Sequence, residues 1–136
     1  MNVSREVPAK WDTFDVIKGI LAFLKEKDIP SSSPELHNSL YALKQKGKYS
    51  SFLKGYFFED RTYYKFSRDF QTDLLNLEQS GHLASPNPDF LDYEIKPKLK
   101  NTFEKYNSKR FTKDEIDILK NMAEDFFKEI SHEKRI

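Results

Sequence analysis

Apolar residues return every three or four positions along most of this chain, and this spacing restricts it to a largely helical fold. The first such stripe consists of Phe14, Ile17, Ile20, Leu21 and Leu24. Asp12 is a favourable N-cap just before the stripe. The pattern therefore predicts a first helix that begins at Asp12 or Thr13 and ends at residues 28–30.

Local start signals open four further predicted helices, at Ser33–Pro34, at Ser67, at Pro97 and at the capping box of Thr112 and Glu115. Gly81 ends the third of these five helices. Their predicted inward-facing residues are Leu36, Leu40 and Leu43, then Phe70, Leu74 and Leu77, then Leu99, Phe103 and Tyr106, and finally Ile116, Leu119, Ala123, Phe126 and Ile130.

Extended structure is indicated in two places. Leu91, Tyr93 and Ile95 alternate with polar residues after a turn at 85–88, which predicts a β-hairpin over residues 82–96. The aromatic-rich segment 48–66 predicts an irregular, partly buried connection that includes a short strand at Tyr56–Phe58.

The predicted order is helix, helix, short strand, helix, hairpin, helix, helix. This order indicates a mainly α fold with a small β-hairpin, a winged-helix-like domain with additional C-terminal helices. The third helix would take the recognition position, and the hairpin would be the wing. The length of 136 residues fits one domain, which we place at 11–130 between tails at 1–10 and 131–136.

Composition excludes several classes of function. The chain has no cysteine, so it has neither a disulfide nor a thiolate metal site. Its net charge of +1 gives no support to nucleic-acid binding, which usually draws on an excess of cations. No apolar run is long enough to span a membrane, and the N-terminus has no signal-peptide pattern, so we expect a cytoplasmic protein without a cofactor.

The stretch from Glu35 to Leu83 resembles the sequences of a known group of proteins. The segment contains ELHNSLYALKQKG and YYKFSRDFQTDLLNLEQSGHL, and DYEIKPKLKNTFEKY follows it. These stretches resemble small bacterial proteins of prophages and mobile elements, including the Panacea-type antitoxins and related winged-helix-like proteins. The residues that carry the likeness are Leu36, Leu40, Tyr41, Phe57, Ser67, Leu74, Leu77 and Gly81. The resemblance implies an antitoxin-like or complex-forming protein encoded on a mobile element.

The third helix is the first candidate binding surface. If its apolar stripe faces inward, its opposite side and the segment before it present side chains that can contact bases or phosphates, namely Arg61, Lys65, Arg68, Thr72, Asn76 and Gln79. Asp69, Asp73 and Glu78 on the same helix would repel phosphate. Residues 82–94, which include Asn87 at the predicted wing tip, contain no lysine or arginine.

Aromatic residues form the second candidate surface. We expect Phe52, Phe57, Phe58 and Phe70 in the core. A partner protein would then be contacted by Tyr63 and Tyr64, which are adjacent, and by Phe126 and Phe127, which are also adjacent and cannot both face one core. The second pair predicts a dimer formed through the C-terminal helix.

No catalytic site is predicted. His37, His82 and His132 lack the spacing of metal ligands, so surface or packing roles are expected for them. Asp69 and Asp73 could share a helix side, but nothing in the sequence completes an acid–base site. The sequence thus favours a non-enzymatic protein-binding regulator or antitoxin-like complex subunit. A sequence-specific DNA-binding regulator and a structural phage protein remain as alternatives.

Overall fold

A computed structural model describes residues 10–85 and 92–134 of the chain. Its α-helices are α1 (Thr13–Phe23), α2 (Ser33–Gln45), α3 (Arg68–Gln79), α4 (Pro97–Lys105) and α5 (Lys113–Lys134), with 3₁₀ helices at Ser50–Leu53 and Asn107–Arg110. Its strands are β1 (Asp28–Pro30), β2 (Glu59–Asp60), β3 (Lys65–Phe66), β4 (Leu83–Ala84) and β5 (Asp92–Ile95). The fold is thus mainly helical with a small antiparallel sheet, as the sequence predicts.

Helix starts follow the predicted signals in four of the five helices, and α4 begins at Pro97 as expected. The Asp12 carboxylate accepts a hydrogen bond from the Asp15 backbone N–H, and the Asp15 carboxylate accepts one from the Asp12 backbone N–H. Thr112 and Glu115 form the same reciprocal pair before α5. Ser67 caps α3. The predicted cap of α2 is wrong by one residue, because Ser32 holds that position and Ser33 already lies in the helix.

Helix α5 is the centre of the packing rather than an appendage. It lies against α1 and α2, and α1 also packs on α4. Fully buried side chains fill the space between these helices, among them Val16, Ile20, Leu40, Leu43, Leu119 and Met122. The expected C-terminal tail at 131–136 is partly wrong, since α5 continues to Lys134. Residues 1–9, within the expected N-terminal tail, lie outside the described residues.

A three-stranded sheet includes the predicted hairpin. Strands β4 and β5 pair antiparallel, with Leu83 opposite Ile95, and the tip of the hairpin with Asn87 and Leu91 lies outside the described residues. Strand β1 pairs with the other side of β5, so that β5 is central. The sequence predicted only a helix end at 28–30. A strand of three residues has too little length to show a period, and Pro30 is tolerated in it because β1 is an edge strand.

The connection between α2 and α3 differs from its prediction. The predicted strand at 56–58 is absent, and the strands of this segment are β2 and β3, which form a two-residue ribbon with Glu59 opposite Phe66. Tyr56 is buried, whereas Phe57 has 76% of its surface exposed and is not a core residue. Tyr106, predicted to face inward, is also exposed, and it lies at the C-cap position just after α4 ends at Lys105.

Candidate nucleic-acid and protein interface

Helix α3 presents one face to the core and the other to solvent. Its cap is the Ser67 hydroxyl, which accepts a hydrogen bond from the Phe70 N–H at 3.2 Å. Phe70, Leu74 and Leu77 are buried, as predicted. The helix stops before Gly81, whose φ of 81° lies in the left-handed region that glycine adopts without strain. The cap, the buried stripe and the glycine together determine which residues point outward.

The outer face of α3 exposes the four helical residues that the sequence predicts for DNA contact: Arg68, Thr72, Asn76 and Gln79. Two neighbours change its chemistry. Asp69 is exposed and opposes the charge of Arg68, and Leu75 places an apolar side chain with 46% of its surface exposed on this side of the helix. The face is therefore nearly neutral and partly apolar, which is poorly suited to phosphate and well suited to protein.

Both cations predicted beside this face are already engaged within the chain. The Arg61 Nε lies 3.5 Å from Oε2 of Glu59, and the guanidinium stacks 4.1 Å from the centre of the Phe66 ring. Lys65 forms an ion pair with Asp60, and its ammonium lies 5.1 Å from the Tyr41 ring. Binding a phosphate through either cation would compete with these contacts.

The ribbon of β2 and β3 carries the most exposed aromatic side chain among the described residues. Tyr63, in the turn of the ribbon, has 91% of its surface exposed. Its neighbour Tyr64 is partly buried and packs edge-on against Phe66, with ring centres 6.3 Å apart. Of the predicted tyrosine pair, only Tyr63 is thus fully available to a partner. Phe57 was missed as an exposed residue, because an aromatic cluster in sequence does not reveal which rings the backbone turns outward.

A buried histidine joins α2 to the start of α3. His37 is fully buried, its Nδ1 accepts a hydrogen bond from the Ser67 backbone N–H at 3.0 Å, and its Nε2 lies 3.0 Å from Oε1 of Gln71. Because Nδ1 is an acceptor, the ring proton lies on Nε2 and is donated to Gln71. Burial is the main reason why the pKa of His37 is lowered from 6.5, and the positive charge of Arg61 lowers it further. His37 is therefore a neutral packing residue that orients α3.

The two aspartates of α3 do not form an acid–base pair. Asp69 is exposed, whereas Asp73 is half-buried and accepts a hydrogen bond from the Tyr56 hydroxyl at 2.6 Å. Burial raises the pKa of Asp73, while the Tyr56 hydrogen bond opposes that rise. Asp73 thus holds the loop before β2 against α3. This packing role accounts for the partial burial of its carboxylate and for its hydrogen bond with Tyr56.

Within residues 10–85 and 92–134, no group of three or more His, Cys, Asp or Glu side chains is arranged to hold a metal ion. Within the same ranges, no helix is long and apolar enough to cross a membrane.

His82 lies beside Ser80 and Thr102, with its Nε2 3.4 Å from the Thr102 hydroxyl. Burial is the first cause of the lowered pKa of His82.

The phenylalanine pair of α5 is divided between the core and the surface. Phe126 is buried among the helices and cannot contact a partner, so this residue of the predicted pair is corrected to a core residue. Phe127 has 39% of its surface exposed. Adjacent helical residues differ by about 100° in direction, so the sequence predicts that only one of the two rings faces the core. It does not indicate which of the two faces outward.

Comparison with known proteins adds no functional information: no family model, no curated protein and no solved structure matches the chain.

Proposed function

We propose that this chain is a non-enzymatic, winged-helix-like protein-binding module that contacts its partner through the outer face of α3 and the adjacent β2–β3 ribbon. The observation that carries the proposal is the combination of exposed apolar side chains with paired cations. Leu75, Tyr63 and Phe57 are exposed, while Arg61 and Lys65 are held by acidic neighbours. Exposed aromatic side chains are enriched in the cores of protein interfaces, and tyrosine is a frequent anchor there.

The winged-helix part of the proposal is supported by topology. Along the chain, α1, β1, α2 and α3 precede the β4–β5 hairpin, and β5 lies between β1 and β4 in the sheet. In that arrangement α3 occupies the recognition position. Together with the resemblance to Panacea-type antitoxins, this favours a regulator or antitoxin-like subunit of a complex encoded on a mobile element.

Affinity purification of the tagged full-length chain from its native cells tests the proposal. A protein partner should be retained by the wild type and by Lys113→Glu, a control at an exposed position of α5. The partner should be lost from Tyr63→Asp and Leu75→Asp, because a charge at an interface anchor costs about 2 kcal/mol or more, roughly a 30-fold loss of affinity. A partner retained equally by all four proteins would contradict the assignment of this face.

DNA binding is the second candidate, favoured by the exposure of Arg68, Thr72, Asn76 and Gln79 on one helix. Fluorescence anisotropy with a labelled pool of random duplexes, at low and at physiological salt, distinguishes the two candidates. Binding that falls steeply with salt and is lost in Arg68→Ala/Asn76→Ala would replace protein binding as the leading function. We expect no binding at physiological salt.

A further inference from the structure

A groove lies on the side of the molecule formed by the end of α1 and the outward side of α5. Its volume is about 600 Å³. Phe23, Leu24 and Ala123 form its apolar floor, and the half-exposed ring of Phe127 lines it as well. None of the polar side chains that line the groove is buried, so it lacks the inward-facing polar groups that orient a small ligand.

Charged residues of α5 follow the groove at intervals of one helical turn. Lys120, Glu124 and Lys128 are all exposed and line it at successive turns. Within the part of the chain that the structure describes, none of the three forms an ion pair, although the Lys120 ammonium lies 5.5 Å from the Phe23 ring. The groove therefore combines an apolar floor, an exposed aromatic ring and a row of charges of both signs.

We infer that this groove binds the α5 helix of a second copy of the chain, so that the protein forms a two-fold symmetric dimer independent of the proposed α3 interface. Phe127, the ring that would fill the partner's groove, lies on α5, and α5 also lines the groove. Ring and groove therefore belong to one surface patch, which is the condition for an isologous contact. In such a contact Phe127 of each copy enters the groove of the other, which its own ring helps to line.

Charge complementarity and the position of Phe127 together select one register. If the two α5 helices run antiparallel about an axis near residue 126, Glu124 of one copy lies opposite Lys128 of the other, twice by symmetry. The same axis brings Phe127 of the second copy alongside Glu124 and Asp125, at the level of the groove. An axis near residue 124 would instead oppose Lys120 to Lys128 and Glu124 to its own copy, both repulsive. An axis near residue 122 would pair Lys120 with Glu124, but it would place Phe127 level with Asp117, outside the groove.

Sedimentation equilibrium over a wide concentration range measures the association. We expect the wild type to dimerise and Phe127→Ala to weaken the dimer by about tenfold or more, because the central aromatic anchor is removed. Glu124→Lys and Lys128→Glu should each be monomeric, since each variant opposes like charges across the axis. Lys113→Glu is the matched control on the same helix and should dimerise like the wild type, and circular dichroism confirms that each variant is folded.

Mixing the two monomeric variants is the decisive experiment. One copy with Lys at 124 and 128 and one with Glu at both positions are complementary at each contact, so an equimolar mixture should form a heterodimer. The double variant Glu124→Lys/Lys128→Glu should likewise recover the dimer. A wild type that stays monomeric at high concentration, or a mixture that does not associate, would overturn the inference without affecting the α3 interface, whose partner is measured separately.

Discussion

The Ser67 backbone N–H donates a hydrogen bond to Nδ1 of His37 at 3.0 Å, and this contact connects the N-cap residue of α3 to α2. Ser67 also caps α3 through its hydroxyl group. The orientation of the proposed interface helix therefore depends on a neutral imidazole in the core.

Acid should destabilise the protein through His37. Its pKa is lowered in the folded state, so the unfolded chain binds the proton more readily, and the free energy of unfolding falls as the pH drops below the unfolded value of about 6.5. Urea unfolding at pH 7.5 and at pH 5.5 measures this loss. His37→Asn keeps an acceptor near Nδ1 without titrating, and it should reduce the loss. An unchanged pH dependence in that variant would assign the effect to other groups.

Asp15 should be among the most costly polar residues to remove. Its buried carboxylate accepts hydrogen bonds from Asn107 Nδ2 at 2.8 Å, from Arg110 Nη1 at 3.0 Å and from the Asp12 N–H. Asp15→Ala leaves the buried Asn107 donor unsatisfied and breaks the capping box, which should cost about 3 kcal/mol in urea unfolding. Asp114→Ala, an exposed carboxylate at the start of α5, is the control and should cost less than about 1 kcal/mol.

Glycine-to-alanine substitutions should have opposite effects at two positions. A Cβ at Gly19 would lie 2.8 Å from Leu119 Cδ1 and 3.0 Å from the Phe103 ring, so Gly19→Ala should destabilise the α1–α4–α5 core by about 1–3 kcal/mol. A Cβ at Gly47 would meet nothing within 4 Å, and Gly47→Ala should stabilise by about 0.5 kcal/mol by restricting the unfolded chain. Thermal unfolding of both variants gives the comparison; a stable Gly19→Ala protein would contradict this packing.

The contact between Tyr56 and Asp73 should appear as a coupling energy. The hydroxyl–carboxylate distance is 2.6 Å, and a hydrogen bond to a charged group contributes about 1.5–3 kcal/mol. Tyr56→Phe and Asp73→Asn, alone and together, form a double-mutant cycle that measures it. Because the Tyr56 hydrogen bond lowers the pKa of Asp73 against the effect of burial, Tyr56→Phe should raise that pKa further in an NMR titration. Additive costs with an unchanged Asp73 titration would contradict the contact.

One feature of the candidate surfaces could have been read from the sequence more fully. Leu74 and Leu75 are adjacent in α3, so one of them had to leave the core, and the exposed one lies on the proposed interface. The pair Phe126 and Phe127 was recognised for this reason. By contrast, no local pattern indicates that Arg61 and Lys65 are neutralised, since the ribbon that brings them beside Glu59 and Asp60 was not predicted.

By itself, the sequence determined the helices, most of their start and stop residues and the strands of the hairpin. These depend on interactions within about one turn, as between Asp12 and Asp15 or Thr112 and Glu115, or on a repeat visible within a few residues. Only the tertiary structure decided that β1 joins the sheet, that Phe57 faces solvent and that Asp15 meets Arg110 across 95 positions of the chain. Such contacts follow from how the helices dock, and that is set by the summed burial of many side chains rather than by any local pattern.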